Sequence, residues 1–209
     1  GAKEFMSTVT PYLGYYFLGW YNGETLLSTD LTYTFTATQN VQANFEVKEE
    51  MSNFEFTSTV NTCKITGVKD KTVTKIFIPD SVTSIDFTFA FCSGLTSIEV
   101  SENNTVYKSI NGNLYNKNGT TLIQYAIGKT ATSFTIFESV TSIGNQAFAN
   151  CDNLTSVKIP NSVTSIGIAA FYNCCDLTNV VIGEGVTSIG YYAFDGCSSL
   201  TSVEIPDSV

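Results

Sequence analysis

Along the second half of the chain the apolar positions recur in a fixed order. The rows LTSVKIPNSVTSIGIAAFYNCCD (154–176), LTNVVIGEGVTSIGYYAFDGCSS (177–199) and LTSVEIPDSV (200–209) align without a gap. Leu154, Leu177 and Leu200 therefore share one phase, Val163, Val186 and Val209 a second, and Phe148, Phe171 and Phe194 a third, with a period of 23 residues. Each unit reads L-x-x-V-x-I-x-x-x-V-x-x-I-G-x-x-A-F-x-x-C. Its first part alternates with period 2, as a half-buried strand does. One unit is expected to give a short strand, a bend, a second extended piece and a tight helical or 3₁₀ corner. No such unit can close a core alone, so neighbours must stack.

The same phase runs backwards through Ala131, Phe134 and Ile136, then Leu95, Ile98 and Val100, then Val73, Ile76 and Ile78, making six strand positions. A period of about 20 to 29 with this apolar spacing is a leucine-rich-repeat signature. The expected fold is a right-handed, strand-rich leucine-rich-repeat solenoid of the α/β type. The unit from Leu95 to Ala131 spans 36 residues, 13 beyond the period. In it, residues 113–116 and 121–125 flank Lys117-Asn118-Gly119, and Asn-Gly is a strong hairpin-turn signal, so an inserted hairpin is expected within about 101–130. The unit beginning at Val73 is one residue short between Ile85 and Phe89, where an irregular corner is expected.

Before residue 50 the texture changes. Residues 14–47 alternate aromatics and threonines without the period and carry turn residues at Asn22-Gly23. A small β module is expected over 1–50, joined through the charged run Lys48-Glu49-Glu50 to a solenoid over 51–209 whose first repeat is covered by Phe54 to Ile65. Val209 falls partway through a further unit, so the chain is expected to be a segment of a longer protein.

Charge and composition narrow the chemistry. The net charge is -9, all 10 basic residues are lysine, and there is no histidine. Ser-His and Cys-His nucleophile pairs and histidine metal sites are thereby excluded, as are bidentate arginine clamps on phosphate. Nucleic acid is not an expected partner of so acidic a chain. No apolar run approaches a membrane span, and GAKEFMSTVT at the start lacks an apolar signal core.

The repeat I-P-x-S-V-T-S-I-G-x-x-A-F-x-x-C-x-x-L-T-S-V resembles the units of BspA-like leucine-rich-repeat surface proteins over about residues 53–209. The inserted Asn-Gly-Asn-Leu-Tyr-Asn (111–116) is similar to a variant unit of the same family. Residues 14–47, with G-Y-Y-F-L-G-W-Y and a later A-N-F, resemble the second half of an internalin-type B repeat, a small β-grasp-like module. The resemblance implies a bacterial or protist protein that is extracellular or displayed on the cell surface, with a role in adhesion to host or matrix. No residue-level binding motif carries over from it.

Candidate sites come from the columns that the period creates. Cys92, Cys151, Cys174 and Cys197 occupy one repeat position, 59, 23 and 23 residues apart. Zinc usually takes cysteine pairs two to four residues apart. An inward ladder of free thiols is therefore the expected state, with disulfides or a metal as the alternatives. Cys175 falls in a polar slot and should be exposed, whereas Cys63 should be buried. Asp152, Asp176 and Asp195 lie near corners without a calcium-loop pattern. Three Asn-x-Thr triplets, at Asn103, Asn118 and Asn153, match the glycosylation acceptor. No metal and no cofactor is expected.

The strand residues pointing away from the core give the candidate concave-face site: Thr96, Ser97 and Glu99; Thr155, Ser156 and Lys158; Thr178, Asn179 and Val181; Thr201, Ser202 and Glu204. Short hydroxyls on a rigid floor suit a glycan or an extended peptide. The alternative site is the hairpin with Tyr107, Tyr115 and Tyr125; Tyr172, Tyr191 and Tyr192 add rings at corners. The expected function is a non-enzymatic interaction module binding protein or glycan on a host cell or matrix. Its alternative is a structural spacer displaying other domains. A glycoside hydrolase would need paired carboxylates facing one cleft, and the acids here are scattered at corners.

Overall fold

The computed structural model describes residues 3–36, 38–86 and 89–209. Five strands open the chain: β1 (Glu4–Thr8), β2 (Tyr15–Asn22), β3 (Thr25–Ser28), β4 (Thr32–Thr36) and β5 (Gln42–Val47). β1 pairs antiparallel with β4, and β2 lies between β3 and β5. The expected turn closes β2 onto β3, with Gly23 at φ 59°, where a side chain would be strained. Buried Trp20 packs against Phe17 and Tyr33 and donates its indole N–H to the Asp30 carbonyl at 2.9 Å.

The charged run is more than a link. Residues Glu49–Met51 form a 3₁₀ turn that leaves both glutamates exposed and drives Met51 fully into the core below. β6 (Phe54–Ser58) and β7 (Cys63–Val68) follow as an antiparallel hairpin, and β7 runs parallel to β9 (Ser84–Ile85). Phe54, Cys63 and Ile65 are buried, so the segment expected to cover the first repeat does so. Residues 87–88, in the corner expected to be irregular, lie outside the described residues.

The solenoid proper stacks two kinds of strand. Strands of the first kind fall in two separate sheets, β8 (Lys75–Ile78) paired with β10 (Ser97–Val100), and β14 (Ser133–Thr135) with β16 (Ser156–Ile159) and β18 (Asn179–Ile182). Those of the second kind form one six-stranded sheet of β11 (Tyr107–Ile110), β12 (Asn113–Asn116) and β13 (Thr121–Gln124), followed by the two-residue rungs β15 (Ser142–Ile143), β17 (Ser165–Ile166) and β19 (Ser188–Ile189). Pairing from β13 onwards is parallel and in register, as Ser133↔Ser156↔Asn179 and Ile143↔Ile166↔Ile189 show. Five of the six expected strands form. Residues 200–205, which hold the sixth, are not a strand.

The corners differ from expectation. The pattern G-x-x-A-F reads as a helical or 3₁₀ turn, but a helix satisfies its amides within its own turn. Here the backbone places Gln146, Ala169 and Tyr192 in the left-handed region, and again Asn150, Asn173 and Gly196. This alternation aims amides across to the next rung: Gln146 N–H to Ile168 O, Phe148 N–H to Ala170 O, Asn150 N–H to Tyr172 O, all within 2.8–2.9 Å. The corner is therefore a third hydrogen-bonded ladder, which satisfies backbone that would otherwise be buried without partners.

The insertion is a wall, not an appendage. β12 and β13 form the expected hairpin, and β11 adds an unexpected strand through Asn111-Gly112, both at positive φ as a type I′ turn requires. β13 then pairs parallel with β15 and so supplies a rung of the second sheet. Alternate residues of the insertion face opposite ways: Leu114 and Ala126 enter the N-terminal core cluster, while Tyr115, Leu122 and Tyr125 enter the C-terminal one.

In-register stacking dictates the columns. Tyr125, Phe148, Phe171 and Phe194 stack face to face, with successive ring centroids at 5.2, 4.7 and 5.2 Å. Rungs about 4.8 Å apart leave room for offset stacking and nothing larger. Where one rung's backbone crosses the next, only glycine fits. A Cβ on Gly167 would lie 2.6 Å from the Asn145 nitrogen, and one on Gly190 2.5 Å from the Ile168 nitrogen. Gly167→Ala should destabilise the fold by about 1–3 kcal/mol. Gly94→Ala, whose new methyl would meet nothing closer than 3.6 Å, should be nearly neutral, and thermal unfolding of the two variants side by side checks the pair.

Candidate interaction surface

On β16 and β18 the strand residues predicted to face outward do so. Thr155, Lys158, Thr178, Asn179 and Val181 are exposed and Ser156 is half-buried, all on β16, β18 and the residues leading into them. In-register pairing sets Ser156 beside Asn179 and Lys158 beside Val181, and the Asn179 amide donates to Ser156 Oγ at 3.2 Å. β14 extends both columns with exposed Ser133 and Thr135, which the sequence reading left out although the phase through Phe134 and Ile136 already placed them.

The expected columns are not continuous. Thr96, Ser97 and Glu99 belong to the β8–β10 pair, which does not join β14. The insertion intervenes: the Ile98 amide donates to Gly112 O at 2.8 Å, and Ser109 Oγ donates to Ile98 O at 2.6 Å. A Cβ on Gly112 would lie 2.9 Å from Ser97 Oγ, so the hairpin turn sits directly over that residue. Thr201, Ser202 and Glu204 are exposed but lie on the segment that forms no strand. The ruled floor is thus β14, β16 and β18.

The threonines that lead into its strands are structural. The hydroxyls of Thr155 and Thr178 each donate at 3.0 Å to the carbonyl 23 residues upstream, and Thr96 donates likewise to Thr74 O. A second ladder links Thr141, Thr164 and Thr187 to the preceding rungs of the other sheet. A hydroxyl whose hydrogen is committed this way keeps acceptor capacity but cannot donate to a ligand. Donors on the floor come from Ser133, Thr135, Ser156, Asn179 and Lys158.

The alternative hairpin site is overturned. Tyr107 is 9% exposed, Tyr125 1% and Tyr115 not at all. Tyr125 occupies the phenylalanine column, and Tyr115 packs against Phe137. Burial pushes both phenols up to about 12. These rings are core, and no partner can reach them. The corner tyrosines are the accessible ones, Tyr191 at 82% and Tyr192 at 70%.

The cysteines fall as expected: Cys63, Cys92, Cys151, Cys174 and Cys197 are buried and free, and Cys175 is exposed. Cys174 and Cys197 donate to Phe148 O and Phe171 O, both at 3.1 Å. Burial raises Cys63, Cys92 and Cys151, and hydrogen bonding with Cys197 together with burial raises Cys174. Among the described residues no group of three acids or cysteines converges as a metal site would require.

Shallow clefts flank the floor. One of about 320 Å³ is lined by Glu138, Lys158, Pro160, Asn161, Val181 and Glu184. Another of about 480 Å³ lies between β18 and residues 202–207. The only ion pair among the described residues, Lys64–Asp86, lies elsewhere, so the acids around these clefts have no cationic partner in direct contact.

A ladder of parallel rungs with stacked phenylalanines, a glycine crossover and an inner floor defines a leucine-rich-repeat solenoid. The chain belongs to the BspA type leucine rich repeat region family, whose model matches residues 28–130 and 124–209 with 6 copies. A leucine rich cell surface protein from Faecalibacterium prausnitzii A2-165 is similar in structure, with a TM-score of 0.59, 35% identity, and coverage of 66% of this chain and 37% of that one. The pneumococcal vaccine antigen PcpA shares the fold at a TM-score of 0.62 and 24% identity, over 66% of this chain and 34% of its own. The chain thus spans little more than a third of either structure. No curated protein matches it. Among the described residues no helix is long and apolar enough to cross a membrane.

Thiolates, not thiols, react with alkylating reagents, and a buried neutral thiol is also out of reach. Native alkylation followed by mass spectrometry should therefore label Cys175 and leave Cys92, Cys151 and Cys174 unmodified; the hydrogen bond with Cys174 lowers the Cys197 thiol, so its expected lack of labelling rests on burial alone. Equal labelling of Cys174 and Cys175 would contradict the packing described above.

Proposed function

We propose that this chain is a non-enzymatic interaction module of an extracellular or cell-surface protein, which binds a protein or glycan of a host cell or matrix through the β14–β16–β18 floor. A small β module over 1–50, part of an internalin-type B repeat, precedes the solenoid of 51–209 in this reading. The observation that carries it is the floor itself. Three in-register strands present Ser133, Ser156 and Asn179 in one column and Thr135, Lys158 and Val181 in the next, at fixed spacing on a hydrogen-bonded ladder. Such a surface loses little conformational freedom on binding. Val181, 48% exposed beside Lys158, gives it an apolar point among polar ones. Family membership and the bacterial cell-surface relative support the module and its location.

Arrays of glycans and matrix proteins test this reading, with the intact chain and two variants. Ser156→Trp with Asn179→Trp should weaken any array ligand at least about tenfold, since both side chains lie at the contact. Thr178→Val should bind normally and lose about 0.5–1.5 kcal/mol of stability, since its hydroxyl serves the ladder. A ligand bound equally by the double variant would place the site off the floor, and no ligand at all would favour the spacer.

A further inference from the structure

The N-terminal strands carry an aromatic recess that the repeats do not account for. Tyr12 to Tyr15 form a tight turn, closed by the Tyr15 amide donating to Tyr12 O at 3.1 Å. The turn is pinned from three sides. Leu13 N–H donates to Thr59 O at 2.9 Å, and Gly14 O accepts from Lys48 N–H at 2.8 Å. Gly14, at φ 83°, packs so closely that a Cβ there would lie 3.1 Å from the Phe56 ring and 3.3 Å from Met51. Past the turn, Tyr15 pairs with Val47 and Phe17 with Phe45, so Tyr15 and Phe45 share one face of the sheet. Tyr12, Tyr15, Phe45 and Thr10 line a recess of about 390 Å³, within the range of ligand clefts. Two of its walls are braced from behind: Tyr15 packs on Phe56 at 5.5 Å, and Phe45 on Phe17 at 5.6 Å. Tyr12, 54% exposed, is the open wall.

Three rings and one hydroxyl select a ligand by its chemistry. No charged side chain lines the recess. An anion is disfavoured by the negative ring faces and by the net charge of -9. A primary ammonium is drawn to the rings, but its three N–H donors would exchange water for the hydroxyls of Thr10 and the two phenols alone. A quaternary ammonium has no N–H to satisfy. Its methyl shell suits apolar walls, and its charge is attracted by the ring faces. Phe5, Tyr16, Phe91 and Tyr125 each have a lysine 5.3–5.7 Å from the ring centroid, whereas among the described residues Tyr12, Tyr15 and Phe45 have none. The nearby Lys48 lies over Tyr16, which points to the opposite face of β2 from Tyr15.

We propose that Tyr12, Tyr15 and Phe45 form an aromatic cage for a quaternary ammonium group. The site lies apart from the β14–β16–β18 floor and does not rest on the floor's binding a partner.

The probes are choline, its neutral isostere 3,3-dimethylbutan-1-ol and its unmethylated counterpart ethanolamine, each titrated into the intact chain. Choline should bind saturably and at least about tenfold more tightly than either of the others. Amide shifts should move chiefly at 10–15 and 45. Tyr12→Ala should weaken choline at least about tenfold, while Tyr12→Phe, which keeps the ring, should stay within about threefold. Tyr12 is exposed, so both variants should keep the parent's amide spectrum elsewhere. Sedimentation with phosphatidylcholine and phosphatidylethanolamine vesicles distinguishes the sources: capture by the first alone assigns a lipid head group, and choline binding without capture assigns a soluble ligand. No saturable binding of choline would overturn the proposal. Equal binding of the neutral isostere would reduce the recess to an apolar pocket and overturn it too, as would a Tyr12→Ala variant that binds choline like the parent, or a Tyr12→Phe variant that does not bind it.

Discussion

Every column in this molecule follows from one constraint, the in-register stacking of parallel rungs about 4.8 Å apart. At that spacing a side chain's neighbours above and below are its own repeat-mates. Flat rings stack, as Phe148, Phe171 and Phe194 do, and small groups line up, as Ala147, Ala170 and Ala193 do. Glycine is required where a Cβ would enter the preceding backbone, at Gly167 and Gly190. Hydroxyls find the carbonyl one rung back, which turns threonine into a ladder residue. Burial of the apolar columns provides the main driving force, and the hydrogen-bond ladders determine that the rungs meet in a single register.

The insertion obeys the same constraint and decides where a partner can bind. β13 pairs with β15 and Tyr125 heads the ring stack, so the extra residues become a rung whose two faces serve two core clusters. Buried polar side chains secure it. Asn104 donates to the carbonyls of Pro79 and Val82 and accepts from the amides of Val106 and Tyr107, and Gln124 accepts from Phe89 and donates to Ala147 O. The cost is that β10 and β14 do not pair, so the inner strands fall in two separate sheets. An inner surface that the period alone would draw as one floor is divided in two, and the C-terminal part carries the clefts described above.

Period and phase made most of the solenoid legible. The valine, isoleucine, leucine and phenylalanine columns, the buried cysteines, the exposed Cys175 and the β12–β13 hairpin could all be read because each depends on residues within one unit or on its repeat-mates. Features set by contacts the period does not describe were not legible. Tyr115 and Tyr125 look like surface rings on a hairpin, and only the pairing of β13 with β15 turns them inward. β11 is masked in the sequence because its turn, Asn111-Gly112, lies before the more conspicuous Asn118-Gly119. The corner reads as helical from its composition, but left-handed residues such as Ala169 and Tyr192 carry no sequence signal of their own. At the candidate surface, the outward pattern was legible and its interruption at Ser97 was not.

The central claim is that the rungs, insertion included, form one stacked ladder, and residue-resolved native hydrogen exchange tests it most directly. Amides that open only with the whole structure share one protection level. The account predicts that Leu122, Tyr125 and the insertion strands beside them exchange at the slow rate of β16 and β17. Exchange across 107–125 that is orders of magnitude faster than in β16 would show the insertion to be a peripheral hairpin and would contradict the account.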